Sequence, residues 1–95
     1  GIRLDREKHT VEADGKEVVL TFREFELLRY LMEHRDTAVT RDTLLCDVWG
    51  YDYAGDTNIV DVYIRYLRQK IDEPFHVKTI HTIRAVGYMF SHEEK

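Results

Sequence analysis

Between Thr57 and Asp72 the chain places Val60, Ile64, Leu67 and Ile71 three or four residues apart. At about 100° per residue these four form one stripe, flanked by Tyr63 and Arg68, which predicts a helix from about Thr57 to Asp72 with one buried face. Glu73-Pro74 ends it, because proline disfavours helical geometry in the residue before it. A one-sided helix cannot stand alone, so the rest of the chain must cover the stripe. The whole sequence has 95 residues, enough for one small domain with a single core.

The covering elements are legible in order. Ile2 and Leu4, Val11 and Ala13, then Val18 and Leu20 alternate with polar residues, and Asp14-Gly15 supplies the positive φ angles of a tight hairpin. Residues 1–21 therefore read as a small antiparallel sheet. Thr21 followed by Glu24 is a capping box, which starts a helix at Phe22. Its apolar stripe is Phe25, Leu28, Leu31 and Met32, it runs to about His34, and Arg29 can pair with Glu33 one turn on. Thr40 caps a second, short helix, with Asp42 in its first turn, Leu44, Leu45, Val48 and Trp49 on its apolar side and Gly50 at its end. Tyr51 to Thr57 has no periodicity and reads as a loop. Val77–Ile83 and Val86–Phe90 read as two strands joined by a tight turn near Arg84-Ala85 or Val86-Gly87. The fold class is α+β: an N-terminal antiparallel sheet (1–21), three helices (22–72) and a C-terminal hairpin (77–90).

Composition excludes several functions. No apolar run approaches the roughly 18 to 20 residues needed to span a bilayer, and no charged start followed by an apolar stretch suggests a signal peptide, so a cytoplasmic chain with no membrane partner is expected. The single cysteine, Cys46, permits no intramolecular disulfide and no paired-thiol zinc motif, and its place beside Leu45 suits a structural thiol. His9, His34, His76, His81 and His92 are scattered at spacings that match no zinc site. With no glycine-rich phosphate loop and no nucleophile elbow, neither enzyme activity, catalytic residue, metal nor cofactor is expected.

The net charge of −4 would by itself argue against a nucleic-acid partner. Its distribution says otherwise. Residues 1–57 hold eight basic against thirteen acidic residues, whereas residues 58–84 hold five basic against three acidic. That basic third includes the far face of the third helix: Asn58, Val62, Arg65, Tyr66 and Gln69. Amides and arginine make paired hydrogen bonds to base edges in a major groove, and a valine methyl can touch the thymine methyl. The competing reading is that Val62 and Tyr66 pack against another element while Arg65 pairs with an acid of the body. Two helices followed by a hairpin suggest a winged helix-turn-helix, with Arg84 at the wing tip either in a minor groove or as an ordinary solvated turn residue.

Four ungapped stretches carry a resemblance: Thr21 to Leu28, Leu44-Leu45 with Val48-Trp49-Gly50, Asn58 to Arg68, and Thr82 to Tyr88. In order and spacing they resemble the C-terminal winged-helix effector domain of OmpR/PhoB-type response regulators, over nearly the whole chain. The resemblance implies a four-stranded N-terminal sheet and sequence-specific binding to double-stranded promoter DNA for transcription regulation in a bacterial two-component system. It places the third helix in the major groove and the hairpin in the adjacent minor groove. Carried over, Asn58, Val62, Arg65, Tyr66 and Gln69 lie at bases and backbone, Thr82 meets phosphate and Arg84 inserts into a groove. Arg68 reaches phosphate or, from the edge of the core face, pairs with an acid.

The resemblance also implies direct-repeat sites, a homodimer on DNA, and contact of the loop Tyr51, Asp52, Tyr53, Ala54, Gly55 and Asp56 with RNA polymerase or a sigma factor. The family's N-terminal receiver domain is absent from these 95 residues, and with Gly1 in place of methionine an excised domain is expected. Two departures matter. Tyr66 stands where members often carry a base-reading arginine, so a different base preference is expected, and Ala85 stands where glycine is common. The alternative is a winged helix that binds protein and no DNA, which a neutral or acidic surface on the third helix and wing would favour.

Overall fold

A computed structural model describes residues 1–50, 53 and 55–91. Strands β1 (Ile2–Asp5), β2 (Thr10–Ala13) and β3 (Lys16–Val18) form an antiparallel sheet in that order. Ile2 lies opposite Ala13, and Val11 lies between Leu4 and Val18, so the predicted apolar positions do share one face. Asp14 (φ 52°) and Gly15 (φ 81°) make the β2–β3 turn, as the Asp-Gly pair requires. This sheet has three strands rather than the four implied by the resemblance.

Helix α1 (Phe22–Glu33) starts on the predicted capping box: Thr21 Oγ1 accepts from Glu24 N, and Glu24 accepts from Thr21 N at 2.9 Å. Glu24 is buried, and the same carboxylate oxygen receives Lys70 Nζ at 2.7 Å. A buried carboxylate is costly unless paired and hydrogen-bonded, and here the pairing ties the start of α1 to the end of the third helix. Leu27, outside the predicted stripe, is fully buried, whereas Met32 is only half-buried. The Arg29–Glu33 pair forms at 2.9 Å.

Strand β4 (Val39–Thr40) leads into α2 (Arg41–Leu44), capped by Thr40 and continued by a wider π-helical turn over Leu45–Trp49. Gly50, at φ 111°, ends it where predicted. Helix α3 (Asn58–Leu67) continues in a π-helical turn over Arg68–Asp72. Val60, Ile64, Leu67 and Ile71 are all essentially inaccessible, and they join the sheet, α1, Leu44, Ile80 and Phe90 in one core. Burying each contributes about 1.5–3 kcal/mol relative to exposure.

The hairpin consists of β5 (Ile80–Ile83) and β6 (Gly87–Phe90), in a sheet ordered β4-β6-β5. The first strand begins at Ile80 and not at Val77 because the buried Asp72 carboxylate takes the donors. It accepts Thr79 N at 3.2 Å, Thr79 Oγ1 at 2.7 Å and Ile80 N at 3.3 Å. Of the two candidate turns, Ile83–Val86 is the one formed, closed by Val86 N donating to Ile83 O at 3.0 Å. Ala85 occupies the position of φ +65°, a conformation that glycine takes without the steric cost of a Cβ.

Gly87 has a different constraint, since a Cβ there would overlap the Val39 carbonyl oxygen and crowd Thr40 Cα. Glycine lets β4 close onto the hairpin, with Val39 opposite Tyr88 and Thr40 opposite Gly87. Gly87→Ala is expected to cost about 1–3 kcal/mol, seen as a fall of at least about 4 °C in Tm. An unchanged Tm would mean that β4 can withdraw without loss.

Candidate nucleic-acid interface

The polar face of α3 is displayed as its spacing predicts. Asn58, Arg65, Tyr66 and Gln69 are exposed and Val62 is half-buried, within an arc of about 100° opposite the core stripe. Arg65 has no ion-pair partner among the described residues. The packing alternative therefore fails for Arg65. Tyr66 is 39% exposed, and its ring meets the Tyr63 ring of the same helix. At the head of α3 the Asp56 carboxylate accepts Asn58 N at 3.0 Å, which places Asn58 at the first turn.

Arg68 neither stands free nor pairs with an acid. Its Nε and Nη2 donate to the Ile80 carbonyl at 3.3 and 3.0 Å, Nη2 also donates to Thr82 Oγ1 at 2.8 Å, and the guanidinium lies over the Tyr88 ring. Thr82 is exposed. As an acceptor from Arg68, its hydroxyl keeps its own proton for an outside acceptor. Arg84 is exposed at the hairpin turn, and it borders one hollow with Arg41 at the start of α2. Thr82 is thus held against Arg68 at the end of α3, and Arg84 shares a hollow with Arg41, which pairs with Asp61 of α3.

Asp61 is the acid of this region, and it is occupied. Arg41 Nη1 donates to one of its oxygens at 3.0 Å and the Tyr88 hydroxyl donates to the other. Burial, and then the hydrogen bond to Asp61, push the Tyr88 hydroxyl up to about 12. This trio escapes sequence reading because its members lie 20 and 27 residues apart. The only signal is that Asp61 flanks the stripe. With Asp61 paired and Asp72 buried, the exposed charges on α3 and the hairpin include Arg65 and Arg84, while the connection between them exposes one acid, Glu73, and one base, Lys78.

Of the loop after α2, Tyr53, Gly55 and Asp56 are exposed, and a Cβ on Gly55 would overlap the Tyr53 ring. Tyr51, Asp52 and Ala54 lie outside the described residues. No group of three or more metal-ligating side chains occurs among the described residues, and no helix there is long and apolar enough to cross a membrane.

Residues 15–90 match the family described as "Transcriptional regulatory protein, C terminal". The chain belongs to this family. The uncharacterized transcriptional regulatory protein YkoG of Bacillus subtilis (strain 168) is 52% identical over 87 residues, which cover 92% of this chain and 38% of YkoG. Among solved structures, the response regulator DrrB, a Thermotoga maritima OmpR/PhoB homolog, has a TM-score of 0.84 at 36% identity, covering 95% of this chain and 41% of DrrB. The Klebsiella pneumoniae RstA DNA-binding domain, solved in complex with the RstA box, has a TM-score of 0.80 at 30% identity, covering 95% of this chain and 90% of that one. The chain spans about two-fifths of the length of YkoG and DrrB. Its fold is the winged helix-turn-helix of OmpR/PhoB-type response regulators, and the family is one of transcription regulators, not of enzymes.

For this member of the family, the Tyr88–Asp61 bond generates a pH dependence. The folded state holds the phenol proton more tightly than the unfolded chain, whose tyrosines titrate near 10. The stabilisation is whole below pH 10 and is lost as the pH climbs towards 12. Chemical unfolding across this range is expected to show the decline, and Tyr88→Phe to flatten it. Equal slopes in both proteins would exclude Tyr88 as the source.

Proposed function

We propose that this domain binds double-stranded promoter DNA in a sequence-specific way and regulates transcription, as the effector domain of a two-component response regulator. The carrying observation is the outward face on which α3 presents Asn58, Val62, Arg65, Tyr66 and Gln69, with Arg65 unpaired among the described residues, and a hairpin whose turn carries the exposed Arg84. Helix α3 enters the major groove. Arg65, Asn58 and Gln69 supply donors, Val62 a methyl surface and Tyr66 a ring with a hydroxyl. Arg84 enters the adjacent minor groove, where a planar cation is favoured by the negative potential. Thr82 donates to a phosphate and Arg68, which orients that hydroxyl, turns Nη1 to the backbone.

The structure of RstA with its RstA box supports the reading through a similar domain. So does the neutralisation of Asp61, because an acidic face would have suited a protein partner better. Two copies on direct repeats form the active assembly on DNA, a receiver domain precedes the effector in the full protein, and that protein acts in the cytoplasm. The loop Tyr51–Asp56 contacts RNA polymerase.

Neutralised phosphates release counterions, so affinity must fall with salt. Titration of a promoter fragment is expected to show about a 3.5-fold loss between 50 and 200 mM salt for each phosphate neutralised by an arginine or lysine; a flat response would overturn the DNA reading. Arg84→Ala is expected to weaken specific binding by about 1–3 kcal/mol, measured by equilibrium binding with the selected site. Unchanged affinity would remove Arg84 from the interface.

A further inference from the structure

The reading face is supported from behind by a file of rings. Trp49, the last residue of the π-helical turn after α2, meets Tyr63 edge to face, with centroids 5.3 Å apart and planes at 83°. Tyr63 in turn meets Tyr66 at 5.5 Å and 65°. Trp49 is itself held, because the Arg23 guanidinium lies 5.6 Å from its ring centroid while Arg23 Nη1 donates to the Val48 carbonyl. The file runs from the start of α1, through the end of α2, to the exposed face of α3.

An exposed tyrosine on a helix has more than one allowed χ1 well. Tyr63 and Tyr66 stand three residues apart, the spacing at which side chains of one helix meet. Edge-to-face contact with a half-buried ring favours one well for Tyr66 before any ligand arrives. Tyr63 is turned away from the polar arc towards Trp49, so it acts on the face through its neighbour.

We propose that Tyr63 is a positioning residue for base discrimination: seated on Trp49, it presets the Tyr66 ring in the orientation that reads the base pair. The inference rests on the DNA reading of the α3 face. Preorganisation of this kind raises the preference for the matching site and leaves sequence-independent binding unmoved, since the latter comes from phosphate contacts.

The test selects bound sites from a random DNA pool for the wild type, Tyr66→Ala, Tyr63→Leu, Tyr63→Phe and the Tyr63→Leu/Tyr66→Ala double variant. Affinity for a scrambled duplex is measured alongside. Tyr63→Leu is expected to lose about 2- to 10-fold of the preference at the positions altered by Tyr66→Ala, the range of one aromatic pair. Tyr63→Phe keeps the preference, the double variant matches Tyr66→Ala, and the scrambled-duplex affinity of the Tyr63 single variants stays at the wild-type level. If Tyr66→Ala shifts the selected site and folded Tyr63→Leu does not, the positioning role is overturned while base reading stands. If Tyr66→Ala leaves the selected site unchanged, base reading by Tyr66 fails and the positioning role with it. A measurement on the wild type is independent of variant folding: NMR of the DNA-free domain is expected to show ring-to-ring nuclear Overhauser contacts between Tyr63 and Tyr66, and their absence would overturn the preset.

Discussion

The relation between the third helix and the wing depends on one buried carboxylate. Asp72, at the end of the π-helical turn that closes α3, is 8% exposed and accepts three hydrogen bonds from Thr79 and Ile80. A carboxylate in that position without donors would cost several kcal/mol, because its lost hydration would go uncompensated. The donors are available only if the chain reverses immediately after Pro74 and starts β5 at Ile80. One turn earlier, Arg68 binds the outward carbonyl of the same Ile80 and the Thr82 hydroxyl. The two side chains therefore clamp the first and third residues of β5 to the helix. Everything proposed for Thr82 and Arg84 assumes that clamp.

Local physics made most of the fold readable. The Asp14-Gly15 turn, the Thr21–Glu24 capping box, the Gly50 stop and the Val60–Ile71 stripe each involve residues close in sequence, and each appears where it was expected. The long-range partners were not readable. Nothing near Glu24 announces Lys70, and nothing near Asp61 announces Tyr88. Leu27 lies beside the predicted α1 stripe and is buried because more than one element covers the helix, which a single-face wheel does not represent. The short β4 was missed because two residues carry no periodicity, and its pairing with β6 depends on a glycine 47 residues away. On the candidate site, spacing chose the exposed α3 face correctly, but it could not show that Arg68 would be spent on Ile80 and Thr82.

Charge shows how summed composition misleads. The chain is acidic by four charges, yet on α3 Asp61 is paired and Asp72 is buried, and Arg65 and Arg84 remain outward. A polyanion approaching any other side would meet the excess of acids in residues 1–57. Such a field orients encounter before contact, and it lowers the affinity of misaligned approaches. A preference for one orientation of approach suits the proposed assembly of two copies on neighbouring sites.

The pairing of Val39–Thr40 with Tyr88–Gly87 has an entropic consequence. Because β4 runs directly into the Thr40 cap of α2, the hairpin is sewn to the helical body on one side by that strand and on the other by Arg68. Its connection is only three residues long, Arg84 to Val86. Fixing a residue's backbone costs about 1–2 kcal/mol, and a floppy wing would meet that cost at each docking event. Here the ordering is completed during folding, so a contact of the kind proposed for the wing tip would not have to meet that cost.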